Sequence, residues 1–164
     1  MNNQRVFNFK FNSNEETKDI YLNSTNINAY NGLFNESYKN KFLIGPRKSG
    51  KTILSQKWLK KNKAVLYNEN FEYIINNYNN ILIENLSIKY DQEKIFHIIN
   101  HCFFNNLGIL ITSNLELNNI NFDLKDLISR LKTFEFLKIN QPDDDMLLKI
   151  LTKLFVEKQF IVKS

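Results

Sequence analysis

A phosphate-binding motif at residues 45–52 limits the folds that this chain can adopt. The stretch reads GPRKSGKT and satisfies the pattern G-x-x-x-x-G-K-[ST], which turns backbone N–H groups inward on the phosphates of a nucleotide. The apolar run 42–44 precedes it, and Ile53, Leu54 and Trp58 follow it at helical spacing. Because the motif works between a strand and a helix, this context predicts a nucleotide site at that junction.

The rest of the chain alternates between short apolar runs and helical patterns. The predicted strands are 41–44, 64–67, 81–84, 108–112 and 134–139, and the predicted helices are 51–61, 70–77, 91–106 and 123–132. Such alternation predicts the α/β class, with a parallel five-stranded sheet covered on both faces as a three-layer sandwich. A length of 164 residues suffices for one such domain.

Composition favours a folded protein in the cytoplasm. The chain is 43% hydrophobic and 13% aromatic, above what disordered segments carry. No apolar run approaches the length of a membrane span, so no membrane partner is expected. The N-terminus lacks the apolar stretch of a signal peptide, and the single Cys102 cannot form an internal disulfide.

Positive charge is concentrated next to the motif. Nine Lys and Arg residues and no acid lie within 39–63. This block is typical of a solvated helix face beside a phosphate site, but it could also attract nucleic acid or an acidic partner.

Individual roles follow from the motif. Lys51 is expected to reach the β- and γ-phosphates, and the Thr52 hydroxyl to hold magnesium. Glu84 ends the apolar run 81–83 and could sit opposite Thr52, holding the ion directly or through water. Alternatively, the strand simply ends in polar residues. The predicted nucleotide-binding residues are Gly45, Pro46, Arg47, Lys48, Ser49, Gly50, Lys51 and Thr52, and the predicted metal ligands are Thr52 and Glu84.

The order of these parts resembles the AAA+ ATPases of the DnaA/Hda family, and within it the Hda-like regulators of replication initiation. The sequence GPRKSGKT is similar to the Walker A loop of the family, NILIENL to Walker B, and GILITSN at 108–114 to the sensor 1 strand. DLKDLISRL at 123–131 resembles the arginine-finger segment. The resemblance therefore implies Asn114 as the sensor residue and Arg130 as the finger, the two catalytic candidates.

The resemblance also implies a division of the chain. Residues 1–18 are a tail, residues 19–141 are the AAA+ core, and residues 142–164 are the first helix of a lid domain that is otherwise largely missing. The segment 19–30 is similar to the part of the family that flanks the adenine. The DNA-binding domain of the initiators is absent from these residues, so sequence-specific DNA binding is not expected.

Three positions depart from the family pattern. Lys48 stands where a Gly is common, and would crowd the loop or add a phosphate contact. Glu84 replaces the usual Asp. Asn85 follows it, where a self-sufficient NTPase or kinase would carry the carboxylate that activates water, and an amide cannot take that proton.

The tail resembles the peptide by which Hda-like proteins bind the DNA polymerase sliding clamp. Gln4, Phe7 and Phe9 would supply the polar anchor and the apolar contacts, although Arg5 is a poor match. Alternatively, the two Phe side chains pack on the domain.

Two functions are open at this point. The first is an Hda-like regulator that binds ADP or ATP with Mg²⁺ and promotes, in trans, hydrolysis of the ATP held by the initiator DnaA, together with the clamp. The alternative is a non-catalytic nucleotide-binding scaffold or adaptor. A homodimer would cover an apolar stripe on the last helix, which comprises Met146, Leu147, Ile150, Leu151, Leu154 and Phe155.

Overall fold

The computed structural model describes residues 20–35, 39–77 and 79–157. The predicted tail, with Gln4, Phe7 and Phe9, lies outside these residues, as does the end of the predicted lid segment. The elements are α1 (Ile27–Phe34), β1 (Asn40–Ile44), α2 (Lys51–Lys61), β2 (Val65–Leu66), α3 (Phe71–Asn76), β3 (Ile81–Ile83), α4 (Gln92–Phe104), β4 (Ile109–Ser113), α5 (Lys125–Leu131), β5 (Glu135–Lys138) and α6 (Asp144–Glu157).

The five strands form one parallel sheet in the order β2-β3-β4-β1-β5. The strand β1, which leads into the phosphate-binding motif, lies between β4 and β5, with Ile44 paired to Ser113 and to Lys138. The carboxyl ends of these strands meet at one edge, where α/β proteins place their ligands. The predicted fold class and the five predicted strands are confirmed.

Side chains alternate between the two faces of the sheet and build two cores. Phe42, Ile83 and Ile111 face a cluster completed by α3, α4 and α5. Leu43 and Leu82 face a second cluster completed by α1 and α2, in which Trp58 is buried. Because residues next to each other in a strand point to opposite faces, continuous apolar runs are what a doubly covered parallel sheet needs. The molecule is therefore the predicted three-layer sandwich.

Helix caps agree with the sequence. The Asp91 side chain accepts a hydrogen bond from the Lys94 amide at 3.1 Å and caps α4. Cys102 is buried in the same helix, and burial raises the pKa of its thiol to about 12. The thiol is therefore held in its unreactive neutral form.

Helix α1 was not predicted as a helix, because its Asn-rich sequence has low helix propensity. Tertiary contacts stabilise it instead. A Cβ on Gly32 would lie 2.4 Å from Leu137 Cδ2, so a larger residue there would displace the Leu137 side chain on β5. At the C-terminal end of α1, the Lys41 ammonium donates to the carbonyls of Gly32, Leu33 and Asn35.

The basic block is not a single surface. Lys41 is buried beneath the end of α1, and Lys51 is buried in the phosphate-binding loop. Arg47, Lys48 and Lys60 are exposed. Lys41 and Lys51 are thus held inside the domain, whereas the exposed cations are accessible to a partner.

Helix α6 is attached to the core at its first turn. Asn23 Nδ2 donates to both Asp143 carboxylate oxygens, at 3.0 and 3.1 Å, and Asp143 Oδ1 accepts from the Met146 amide. Met146 is buried against Thr25. No described helix is long and apolar enough to cross a membrane.

Candidate nucleotide-binding site

Residues 45–50 connect β1 to α2 in a tight loop whose glycines are required by geometry. A Cβ on Gly45 would lie 2.7 Å from Ser49 Oγ and 3.1 Å from the Ile139 carbonyl, which leaves no room for a side chain. Gly50 has a φ of 93°, a left-handed conformation that glycine adopts without strain. The two glycines of the motif thus shape the loop that begins α2.

Lys51 is folded back onto the loop. Its Nζ donates to the carbonyls of Gly45 at 2.6 Å and Pro46 at 2.7 Å, and the residue is only 6% exposed. Burial lowers the pKa of Lys51, because no carboxylate compensates for the water that its ammonium has lost. An anion bound here would supply the missing opposite charge, as a phosphate does.

Ser49 provides a second indication of a ligand. Its Oγ is buried and has no hydrogen-bond partner among the described residues. Buried hydroxyls are normally paired, and an orphan in a loop of this kind suits an added acceptor such as a phosphate oxygen.

A cavity of about 620 Å³ opens at this loop. Six of the eight predicted nucleotide-binding residues and the predicted sensor residue lie around it. Its lining comprises Arg47, Lys48, Ser49, Gly50, Lys51, Thr52, Ile53, Asn85 and Asn114. Of the remaining predicted residues, Gly45 and Pro46 contribute the carbonyls that hold Lys51.

Glu84 follows β3 and faces α2. Its Oε1 accepts a hydrogen bond from Ser55 Oγ at 2.8 Å and lies 3.4 Å from Gln56 Nε2. Ser55 is one helical turn beyond Thr52, so the carboxylate lies beside the motif helix and outside the lining of the cavity.

Asn85 and Asn114 meet at the edge of the cavity. Asn85 has a φ of 53°, in the left-handed region that Asn tolerates better than most residues. Its amide donates to Thr112 Oγ1 at 2.9 Å, and its Oδ1 lies 3.5 Å from Asn114 Nδ2. Two amides therefore occupy the place where a water-activating carboxylate would be expected.

Magnesium prefers oxygen ligands in octahedral geometry. Thr52 brings a hydroxyl to the cavity, whereas the Glu84 carboxylate is bonded to Ser55. The described residues contain no cluster of three or more His, Cys, Asp or Glu that could hold a metal ion by itself. The chain thus fits magnesium only together with phosphate ligands, and the role of Glu84 stays a prediction.

Arg130 lies on α5, away from the cavity lining. Its guanidinium carbon lies 5.4 Å from the centre of the Phe103 ring on α4, within the range of a cation–π contact. Among the described residues it forms no ion pair, so it does not pair with Asp126 on its own helix. The finger candidate therefore contacts α4 and does not line the cavity of its own chain.

Sequence reasoning missed three residues of the site. Ser55 holds Glu84, Thr112 holds the Asn85 amide, and Ile53 lines the cavity. The sequence indicated Ser55 only by its position, as a polar residue one helical turn after Thr52. Nothing in the sequence pointed to Thr112, which lies in a buried strand.

The sheet order and the connection between β1 and α2 match the AAA+ fold of solved structures. Several solved structures with this fold are replication initiators. A DNA replication initiation factor matches with a TM-score of 0.78 at 17% identity, covering 88% of this chain and 55% of that one. AMPPCP-bound DnaA from Aquifex aeolicus matches with a TM-score of 0.69 at 18% identity, covering 88% and 56%.

Domain III of the Thermotoga maritima replication initiation protein DnaA is also similar, with a TM-score of 0.71 and 19% identity. It covers 84% of this chain, which in turn spans 72% of that domain. The chain spans little more than half of the first two structures. No known family model and no curated protein matches the sequence. The fold is thus that of the DnaA AAA+ domain.

Proposed function

We propose that this protein is an adenine-nucleotide-binding regulator of replication initiation that acts on a partner initiator. The observation that carries the proposal is the cradle at residues 45–52. There, a buried cation and an unpartnered hydroxyl surround a cavity without a negative side chain in its described lining. Similarity in fold to AMPPCP-bound DnaA supports an adenine nucleotide as the ligand.

In this proposal the protein holds the nucleotide but scarcely hydrolyses it. Lys51 binds the β- and γ-phosphates, and Ser49 and the loop amides bind the remaining phosphate oxygens. If magnesium accompanied a triphosphate, Thr52 would hold it and Glu84 would assist through a water. Asn85 and Asn114 orient groups at the cavity edge, but neither can remove a proton from water.

The activity is exerted on a second AAA+ molecule. Arg130 projects from α5 without a carboxylate partner among the described residues, and its planar guanidinium suits a phosphoryl group in a neighbouring site. The initiator DnaA would contribute the water-activating carboxylate that this chain lacks. Arg130 would contribute the cation that neutralises the transferred phosphoryl group.

The test is the turnover of ATP bound to the initiator, measured with and without this protein and with DNA-loaded sliding clamp. We expect faster hydrolysis only when this protein is present, while the protein alone remains near background. Brisk ATP turnover by the protein alone would contradict the proposal, as would an unchanged rate in the initiator.

The sliding clamp is proposed as a second partner through the tail. Replacing Gln4 and Phe7 with Ala should abolish clamp binding, because the peptide loses its polar anchor and an apolar side chain. A clamp pull-down or surface-plasmon measurement tests this. The matched control is Asn12→Ala with Asn14→Ala, two changes in the same tail outside the motif.

The melting temperature of the Gln4 and Phe7 double variant should stay within about 2 °C of the wild type if the tail contributes little core. A larger fall would show instead that these side chains pack on the domain. Clamp binding that survives the double change would remove the clamp from the proposal.

We further propose that α6 pairs with α6 of a second copy. Leu147, Leu151 and Phe155 are 43%, 49% and 49% exposed on the described part of the chain, and they recur at helical spacing. In an antiparallel pair, the N-terminal end of each α6 would lie beside the C-terminal end of α6 in the other copy. The opposite ends of the two helix dipoles favour that arrangement.

The variant Leu147→Gln with Leu151→Gln should convert the dimer to a monomer in light scattering, because it removes two apolar side chains from one face. Lys149→Gln with Thr152→Gln changes the same helix and serves as the control. A wild-type protein that stays monomeric at high concentration would contradict the pairing.

A further inference from the structure

The cavity at the phosphate-binding loop carries an unusual charge balance. Three of its nine lining residues are cations, namely Arg47, Lys48 and Lys51, and none of the nine is an acid. Within the described residues, neither Arg47 nor Lys48 forms an ion pair that would neutralise it. The positive charge at the cavity is thus available to a ligand.

Lys48 occupies a conformation that favours glycine. Its φ is 63°, in the left-handed region where a Cβ crowds the backbone. Glycine would adopt this turn without strain, so the lysine at this position lowers the stability of the folded protein. A strained conformation is tolerated at a ligand-binding loop when the side chain of that residue contacts the ligand. The Lys48 side chain brings its positive charge to the edge of the cavity.

The acidic group that would anchor a metal lies elsewhere. Glu84 Oε1 is bonded to Ser55 Oγ at 2.8 Å and is near Gln56 Nε2, and Glu84 does not line the cavity. Thr52 therefore contributes the single hydroxyl of the motif helix that lines the cavity in the described structure. The lining of the cavity therefore contains more cationic side chains than side chains that could bind a metal ion.

We infer that the site takes nucleoside diphosphates without magnesium, with Arg47, Lys48 and Lys51 neutralising the phosphates in place of the ion. The inference rests on the proposed nucleotide binding and adds which form of the ligand is bound. Hydrogen bonds from charged Arg and Lys side chains to phosphate oxygens are roughly twice as strong as those between neutral groups. Arg47 and Lys48 are then the residues that determine this specificity.

Calorimetric titration with ADP tests the inference, once in millimolar magnesium and once in excess EDTA. We expect the two dissociation constants to agree within about threefold, a difference of less than 1 kcal/mol. Binding that weakens more than about tenfold in EDTA overturns the inference and leaves the proposed nucleotide binding intact. Absence of ADP binding in both buffers overturns both.

The variant Arg47→Gln with Lys48→Gln identifies the cations responsible. In EDTA its ADP affinity should fall at least about tenfold, and magnesium should restore part of the loss. Lys60→Gln with Lys89→Gln removes the same charge at exposed positions away from the cavity, and should bind ADP as the wild type does in both buffers. If the Arg47 and Lys48 variant binds ADP in EDTA as tightly as the wild type, the inference is wrong.

Discussion

Arg130→Ala should abolish stimulation of the partner initiator, with a loss of about 10³-fold or more in the stimulated rate of ATP hydrolysis. The reason is electrostatic: charge builds up on the transferred phosphoryl group, and a guanidinium donated by a neighbouring molecule neutralises it. Arg130 is suited to that task, because its guanidinium lies on the Phe103 ring, outside the cavity of its own chain. Initiator-bound ATP, followed over time, gives the rate.

Two comparisons test whether the loss of stimulation is specific to Arg130. The variant should bind ADP and the clamp as the wild type does, since Arg130 does not line the cavity. Lys132→Ala removes an exposed cation just beyond the end of α5 and should leave the stimulation unchanged. If Arg130→Ala stimulates the initiator fully, the protein acts as a nucleotide-binding scaffold, the alternative function.

Lys51→Met should weaken ADP binding by at least about 100-fold. A hydrogen bond to a charged group contributes roughly 1.5–3 kcal/mol, which is about 10- to 100-fold in affinity for each contact. Lys51 is placed to make more than one such contact with the phosphates. Fluorescence titration with a labelled ADP measures the loss, and Lys60→Met on the exposed face of the same helix is the control.

The fold should tolerate this change. The pKa of Lys51 is lowered by burial, which means that the folded protein bears a cost for burying the charged ammonium. The methionine removes that cost but also the two hydrogen bonds to the loop carbonyls. Since the two effects oppose each other, we expect a melting temperature within about 3 °C of the wild type. Equal ADP binding by Lys51→Met and the wild type would show that the loop does not hold the phosphates.

The parts of this molecule that could be predicted are those specified by local sequence. The motif at residues 45–52 specifies the conformation of its loop. The apolar runs around Phe42, Leu82 and Leu110 predict strands that are buried on both faces. Asp91 is a cap because its side chain reaches an amide only three residues ahead. Such features need no knowledge of distant contacts.

The parts that could not be predicted depend on residues far apart in the chain. Helix α1 forms in an Asn-rich segment because Gly32 packs on Leu137 and because Lys41 binds its last carbonyls. The direction of the Glu84 side chain is determined by Ser55, 29 positions away. The order of the motifs indicates which residues lie at the site. The hydrogen-bond partner of each side chain, however, depends on tertiary packing.

The buried ammonium of Lys41 joins helix α1 to the paired strands β1 and β5, a connection that the backbone hydrogen bonds of the sheet do not make. It sits on β1, binds the last carbonyls of α1, and lies 3.7 Å from the Glu135 carboxylate on the edge strand β5. An eight-residue helix alone would open readily. Tied to the central strand in this way, α1 should exchange its amide hydrogens only when β1 itself unfolds, so that helix, strand and sheet edge form one cooperative unit.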